Sequence, residues 1–364
     1  MNTYKLLTPG PLTTTDTVKQ EMLVDRCTWE NDYKEITQKI RSQLLDLAHA
    51  ANGEYTSVLM QGSGSFVVEA VLMTAVSESD KVLIITNGAY GKRMVQMAAC
   101  IGVNHREYGV GYNEFPKEAD IRSLLREDRD ITHIAMVHCE TTTGILNPIE
   151  MVSRISKEQQ KTLIIDAMSS FGGVDLKVAE LGIDYLISSA NKCIQGVPGF
   201  GFVIAKLDKL LACKGNARSL SLDLYDQWEE MDKDGKWRFT SPTHVVAAFA
   251  KALEELAEEG GIPARSARYK SNNERLRKLM GQWGIDAYIE PDKQSPIITT
   301  FLFPTESFDF EGFYNFVKAR GYVIYPGKLT DINTFRIGNI GEIHEEDIKE
   351  LGRIIEKYMK VVTV

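Results

Sequence analysis

Thr162-Leu163-Ile164-Ile165-Asp166 and Tyr185-Leu186-Ile187-Ser188-Ser189-Ala190-Asn191-Lys192-Cys193-Ile194-Gln195-Gly196-Val197-Pro198-Gly199 are two apolar runs of strand length, each leading into polar residues. Neither alternates between apolar and polar positions. A strand of that kind is covered on both faces, as in a parallel sheet held between helices. Lys81–Thr86 (KVLIIT), Ile134–His138 (IAMVH) and Gly201–Ala205 (GFVIA) read the same way. Helical periodicity fills the intervals at Phe66–Val76, Lys92–Ile101, Ala119–Glu127 and Ile149–Lys157. The alternation predicts an α/β protein, with a large domain built on a mostly parallel sheet flanked by helices.

Thr243–Glu259 is a strong helix former stopped by Gly260, Gly261 and Pro263. Beyond it the texture changes. Helical Arg265–Trp283 precedes strand-like Ile297–Phe303. Helical Phe310–Arg320 precedes Tyr322–Tyr325 and Thr334–Ile337. A last helix, Glu345–Val361, carries Ile348, Leu351, Ile355 and Tyr358 on one face. Two domains are expected: residues 1–260, an N-terminal arm and a large cofactor-binding domain, and residues 261–364, a smaller α+β domain. A chain of 364 residues exceeds what one core usually holds.

Composition excludes several classes. The net charge of −8 and the lack of a long basic run argue against nucleic acid. No apolar stretch reaches the length of a membrane span. Met1-Asn2-Thr3-Tyr4-Lys5 has no apolar signal core, so a cytoplasmic location is expected. Cys27, Cys100, Cys139, Cys193 and Cys213 are dispersed without a CxxC pair, which reads as reduced thiols and not as disulfides or a metal site.

Lys192 and Asp166 each follow an apolar strand, and strand carboxyl ends are where open α/β sheets bind ligands. A lysine amine condenses with an aldehyde, and a carboxylate keeps a pyridine nitrogen protonated. Together they match what pyridoxal 5'-phosphate requires. Gln61-Gly62-Ser63-Gly64-Ser65 precedes an apolar helix and suits a phosphate held by backbone N–H groups. It lacks GK[ST] and the third glycine of GxGxxG, so a nucleotide motif does not fit. Tyr90, in Asn87-Gly88-Ala89-Tyr90-Gly91, is placed to stack on a cofactor ring or to pack in the core. Glu140-Thr141-Thr142-Thr143-Gly144 offers hydroxyls to a cofactor or substrate oxygen, or caps a turn. His138 is expected to support by hydrogen bonding, and Cys193 to be a small packed residue.

With these residues in place, the chain resembles the class V aminotransferases among fold-type I pyridoxal-phosphate enzymes over nearly all its length. The resemblance runs through Leu7-Thr8-Pro9-Gly10-Pro11, Gly62-Ser63-Gly64-Ser65, Tyr90, Thr143, Asp166, Lys192, Ser241-Pro242-Thr243 and Arg336. Within that class it is most similar to the transaminases that use 2-aminoethylphosphonate and pyruvate. The matching stretches are Cys27-Thr28-Trp29-Glu30-Asn31-Asp32-Tyr33, His138-Cys139-Glu140-Thr141-Thr142-Thr143-Gly144 and Ser189-Ala190-Asn191-Lys192-Cys193, with Glu30 and Arg26 departing from the family pattern. The resemblance implies transamination with Lys192 and Asp166 as catalytic residues. It implies a homodimer in which Thr243 reaches the partner's cofactor phosphate. It also implies substrate contacts at Gly10 and at Arg336, the latter gripping a carboxylate. Serine–pyruvate and alanine–glyoxylate transaminases are the nearest alternatives. Asn191 in place of histidine before the lysine disfavours a cysteine desulfurase. A non-catalytic module binding a phosphorylated metabolite is the alternative of another class.

Overall fold

The computed structural model describes residues 4–362 apart from 328 and 330, so Met1–Thr3 of the N-terminal stretch lie outside it. Seven strands form the main sheet: β1 Tyr55–Gln61, β2 Val82–Thr86, β3 His105–Gly109, β4 His133–Val137, β5 Thr162–Asp166, β6 Tyr185–Ser189 and β7 Phe200–Lys206. Their order is β1-β7-β6-β5-β4-β2-β3. Only β7 runs against its neighbours. The other six share one direction.

Alternate strand residues feed two separate cores. Leu83, Ile85, Ile134, Leu163, Ile165, Leu186 and Phe202 pack on one face with Ile40 and Leu44 of α1 (Asn31–Leu47) and Phe249 and Leu253 of the helix Thr243–Glu259. Val82, Ile84, Ala135, Ile164, Ile187 and Val203 pack on the other. They meet Val67 and Val71 of α2 (Gly64–Ala75) and Met94 and Ala98 of α3 (Ala89–Cys100). Burial on both faces explains why these strands read as unbroken apolar runs.

The expected helices at Ala119–Glu127 and Ile149–Lys157 form as Glu118–Glu127 and Ile149–Glu158. Helix Thr243–Glu259 ends at Gly260, whose φ of +108° is left-handed. The next helix starts at once, at Gly261, and runs to Gly281, not from Arg265 to Trp283. Pro263 is no obstacle, because it sits in the first turn, where no N–H is needed.

A second sheet follows in the C-terminal part: β8 Ile298–Leu302, β9 Tyr325–Pro326 and β10 Thr334–Gly338, antiparallel in the order β8-β10-β9. Phe301 and Phe335 pack with Phe313 of the helix Phe310–Lys318. They also meet Ile348, Leu351 and Ile355 of the helix Glu345–Val362. Near the N-terminus, Lys5–Leu6 pairs in parallel with Tyr322–Val323. Among the described residues, no helix is long and apolar enough to cross a membrane.

Gly201, in the middle of β7, is a tight point. A Cβ there would lie 2.6 Å from Val67 Cγ2 and 2.7 Å from the Ser188 carbonyl oxygen of β6. Gly201→Ala is therefore expected to destabilise the protein by about 1–3 kcal/mol, read as a lower urea midpoint. An unchanged midpoint would show that β6 and β7 can part without cost.

Candidate active site

The site is assembled at the carboxyl ends of five parallel strands. β1 leads through Gly62, at φ +112° and with its N–H on the Gly199 carbonyl at 3.0 Å, into Ser63. Ser63 is the extended N-cap of α2 and makes no side-chain capping bond. The Phe66 N–H bonds the Ser63 carbonyl at 2.9 Å, and the N–H groups of Gly64 and Ser65 at the helix start suit an incoming acceptor. Gly64 has no room for a Cβ, because the Met168 thioether lies against it.

β2 leads into α3, whose first turn carries Tyr90. One turn on, the Arg93 guanidinium carbon lies 5.2 Å from the centre of the Tyr90 ring. β5 ends in Asp166, which is buried and whose Oδ1 accepts from the Met168 N–H at 2.9 Å. Burial pushes the Asp166 carboxyl up to about 6; the Met168 N–H opposes that rise, Glu140 adds to it, and Lys192 and Arg93 oppose it.

β6 leads to Lys192, half-buried, whose Nζ donates to the Pro9 carbonyl at 2.7 Å. Gly10 lies against the same side chain. At φ +108°, its Cβ would fall 2.8 Å from Lys192 Cδ and 2.9 Å from Nζ, so only glycine lets the N-terminal arm pass this close.

Ser63, Gly64, Ser65, Tyr90, Asp166 and Lys192 line a single cavity of about 230 Å³. Arg93, Met168, Ser169, Ser189 and Asn191 line it too, and sequence reasoning passed over them. Arg93 had a signal, since it sits three residues past Tyr90 on one helix and so shares its face. Five other predicted residues, Gly10 among them, do not line this cavity. Gly62 borders a separate recess with Phe66, Trp237 and Phe239. Thr143 is buried with its hydroxyl unpartnered among the described residues. Thr243 is half-buried at the start of its helix.

Arg336, on β10, is fully buried. Its Nη1 donates to the Thr141 carbonyl and its Nε to the Pro326 carbonyl, each at 3.0 Å. Nη2 has no hydrogen-bond partner among the described residues. His138 is buried, its Nδ1 2.9 Å from Ser170 Oγ, and burial pulls its pKa down to about 4, which keeps it neutral. Cys193 is buried with its thiol on the Ser169 carbonyl, and burial raises its pKa, so it is packed and inert.

An amine, a buried carboxylate, an aromatic ring and a helix N-terminus thus meet in one place. The family model described as aminotransferase class-V matches residues 25–333. The chain belongs to the class V aminotransferases. A relative from Lysinibacillus sphaericus (strain C3-41), named 2-aminoethylphosphonate–pyruvate transaminase, is 64% identical over 361 residues, 99% of each chain. One of the same name from Bacillus cereus (strain G9842) is 56% identical over 357 residues, 98% of each. The fold is shared with an aspartate aminotransferase from Thermus thermophilus (TM-score 0.88, 21% identity, 98% of this chain and 99% of that one). An alanine–glyoxylate aminotransferase from Nostoc sp. matches equally well (TM-score 0.88, 23% identity, 98% and 95%).

The cofactor of this family is pyridoxal 5'-phosphate, and the donor set fits it. The amine suits its aldehyde and the uncapped helix N-terminus its phosphate. The buried carboxylate, short of partners, suits its protonated ring nitrogen.

Asp166 carries a consequence for cofactor-free protein. Its folded pKa of about 6 stands above the ordinary 3.8. The folded form therefore binds the proton more tightly, and stability falls as pH rises from 3.8 through about 6. Cofactor-free Asp166→Asn should exceed the wild type at pH ~8 by roughly 2–3 kcal/mol, and lose that advantage in strong acid. Urea unfolding at the two pH values measures it, and equal stability at pH ~8 would contradict the assignment.

Proposed function

We propose that the protein transfers the amino group of 2-aminoethylphosphonate to pyruvate, giving phosphonoacetaldehyde and L-alanine. Identity over the full length to relatives named for this reaction carries the choice of substrates. The convergence of Lys192 and Asp166 on one cavity supports the chemistry. When bound, pyridoxal 5'-phosphate supplies an electron-withdrawing ring that lets the C–H bond beside the amino group ionise.

The chain's own residues do the rest. Lys192 anchors the cofactor and, once released from it, carries the proton on Nζ between the two carbons that exchange it. Asp166 holds the proton on the ring nitrogen. Ser63, Gly64 and Ser65 hold the phosphate, with Gly62 shaping their turn. Tyr90 covers one face of the ring, and Thr143 supports the loop beside it. Arg336 takes the substrate carboxylate through Nη2, which has no hydrogen-bond partner among the described residues, and Gly10 lets the arm close over the bound substrate. Pyruvate repeats the same proton transfers in reverse.

The working form in this reading is a cytoplasmic homodimer, with Thr243 of each protomer at the other's cofactor phosphate. Exposed apolar side chains support a covered surface around the start of the Thr243 helix. Phe66 and Phe239 are both exposed and border one recess. Leu23 and Val24, also exposed, precede Asp25, which bonds His244. The division at residue 260 is kept, except that Lys5–Leu6 travels with the C-terminal part through its pairing with Tyr322–Val323.

Holoenzyme should lose its yellow colour with 2-aminoethylphosphonate and regain it with pyruvate. In an amino-donor screen scored by alanine formed, preference for serine or alanine would move the assignment to the serine–pyruvate or alanine–glyoxylate type. A colourless protein that does not turn over would favour a binding module. Lys192→Ala should cut turnover by 10³-fold or more, on the order of a lost acid–base group and anchor together, and a fully active variant would end the proposal.

A further inference from the structure

Glu140 lies outside the cavity lining, yet it touches both halves of the site. It is fully buried. Its Oε2 accepts from the N–H groups of Tyr90 and Gly91, each at 3.1 Å. Its Oε1 accepts from the Thr142 N–H at 3.1 Å and from the Thr142 hydroxyl at 2.5 Å. The Thr142 hydroxyl oxygen in turn accepts from the Ala89 N–H at 3.0 Å. Gly88 permits this approach, because a Cβ there would collide with the Glu140 side chain.

Both carboxylate oxygens thus face donors. One oxygen caps the first turn of α3, where Tyr90 sits, and a negative charge at a helix N-terminus is favourable. The other ties down the loop 140–143. That loop supplies the Thr141 carbonyl on which Arg336 Nη1 rests, and Thr300 of β8 donates its hydroxyl to the Thr142 carbonyl at 3.3 Å. Burial raises the Glu140 pKa, while the Thr142 hydroxyl and the three N–H groups hold it down.

We propose that Glu140 is a positioning residue that joins the aromatic cover of the cofactor to the seat of Arg336, so that one buried carboxylate sets both cofactor retention and carboxylate binding. This rests on the transaminase reading above. A glutamine of the same shape can accept on one side only. Its amide N–H₂ would face donors on the other, leaving either the α3 turn or the loop unsatisfied.

The test uses the full-length protein. Pyridoxal 5'-phosphate affinity is measured by titrating cofactor-free protein, and the KM for pyruvate is measured in cofactor-saturated enzyme. Glu140→Gln should weaken cofactor binding and raise the KM, each by about tenfold. Tyr90→Ala should weaken mainly the cofactor, and Arg336→Lys should raise mainly the KM. A folded Glu140→Gln protein with wild-type values of both, or with only a lowered melting temperature, would overturn the proposal. Should Glu140→Gln fail to fold, Thr142→Val takes its place. It removes the hydroxyl shared by the two halves and should move both quantities in the same directions by a few-fold, and wild-type values there would equally overturn the proposal. A wild type that does not turn over pyruvate would refute the transaminase reading. The cofactor titration would still decide the role of Glu140, with an unshifted affinity counting against it.

Discussion

Six strands of the main sheet share one direction, so their carboxyl ends lie along a single edge, and the cavity lies there because of it. The sheet spends its backbone groups in ladders and its side chains in two cores. Polar residues that must face a ligand are then best placed where the strands stop. Asp166 ends β5, the Gly62–Ser65 turn follows β1 directly, and Lys192 lies three residues past the end of β6. The strand that breaks the pattern, β7, lies between β1 and β6 and brings the Gly62–Ser65 turn to the same edge from the far side of the chain order.

Much of this architecture can be read from the sequence, and the failures have definite causes. Strand β5 was legible to the residue, because covered strands are apolar throughout. β1 was not, because Thr56 and Ser57 interrupt its run. Both are buried, and they are satisfied by Arg41, whose Nη2 bonds the Thr56 hydroxyl and whose Nε bonds the Ser57 carbonyl. β3, the sheet's edge, reads His-Arg-Glu-Tyr-Gly and carries the mixed polarity of a strand with a half-wet surface. α1 escaped notice as well, although Ile40 and Leu44 are fully buried on its inner face.

At the site, Lys192 and Asp166 were legible because chemistry and strand position coincide. Arg336 needed the family resemblance: nothing local separates it from Arg320 or Arg238, and its burial comes from contacts with Thr141 and Pro326, distant in sequence. Glu140 was passed over for a related reason. A buried carboxylate normally has a cation as its partner, and here backbone N–H groups take that part, which no residue type reveals. Asp166 and Glu140 thus form a contrasted pair of buried acids. Glu140 is surrounded by donors, and Asp166 has a single backbone donor among the described residues and room for a cation to arrive.

The Pro9 carbonyl that holds the Lys192 amine belongs to an arm fastened at the other end of the sequence. Leu7 continues the pairing of Lys5–Leu6 by donating to the Val323 carbonyl, and its own carbonyl accepts from Gly338. A growing polypeptide cannot form those contacts until Tyr322, Val323 and Gly338 have been made, because contacts between distant segments must await both partners. The cavity walls can assemble from the central sheet long before then. The Lys192 amine can therefore gain its fixed resting place only after that pairing, and a chain interrupted before residue 322 would hold the lysine beside an unfastened arm.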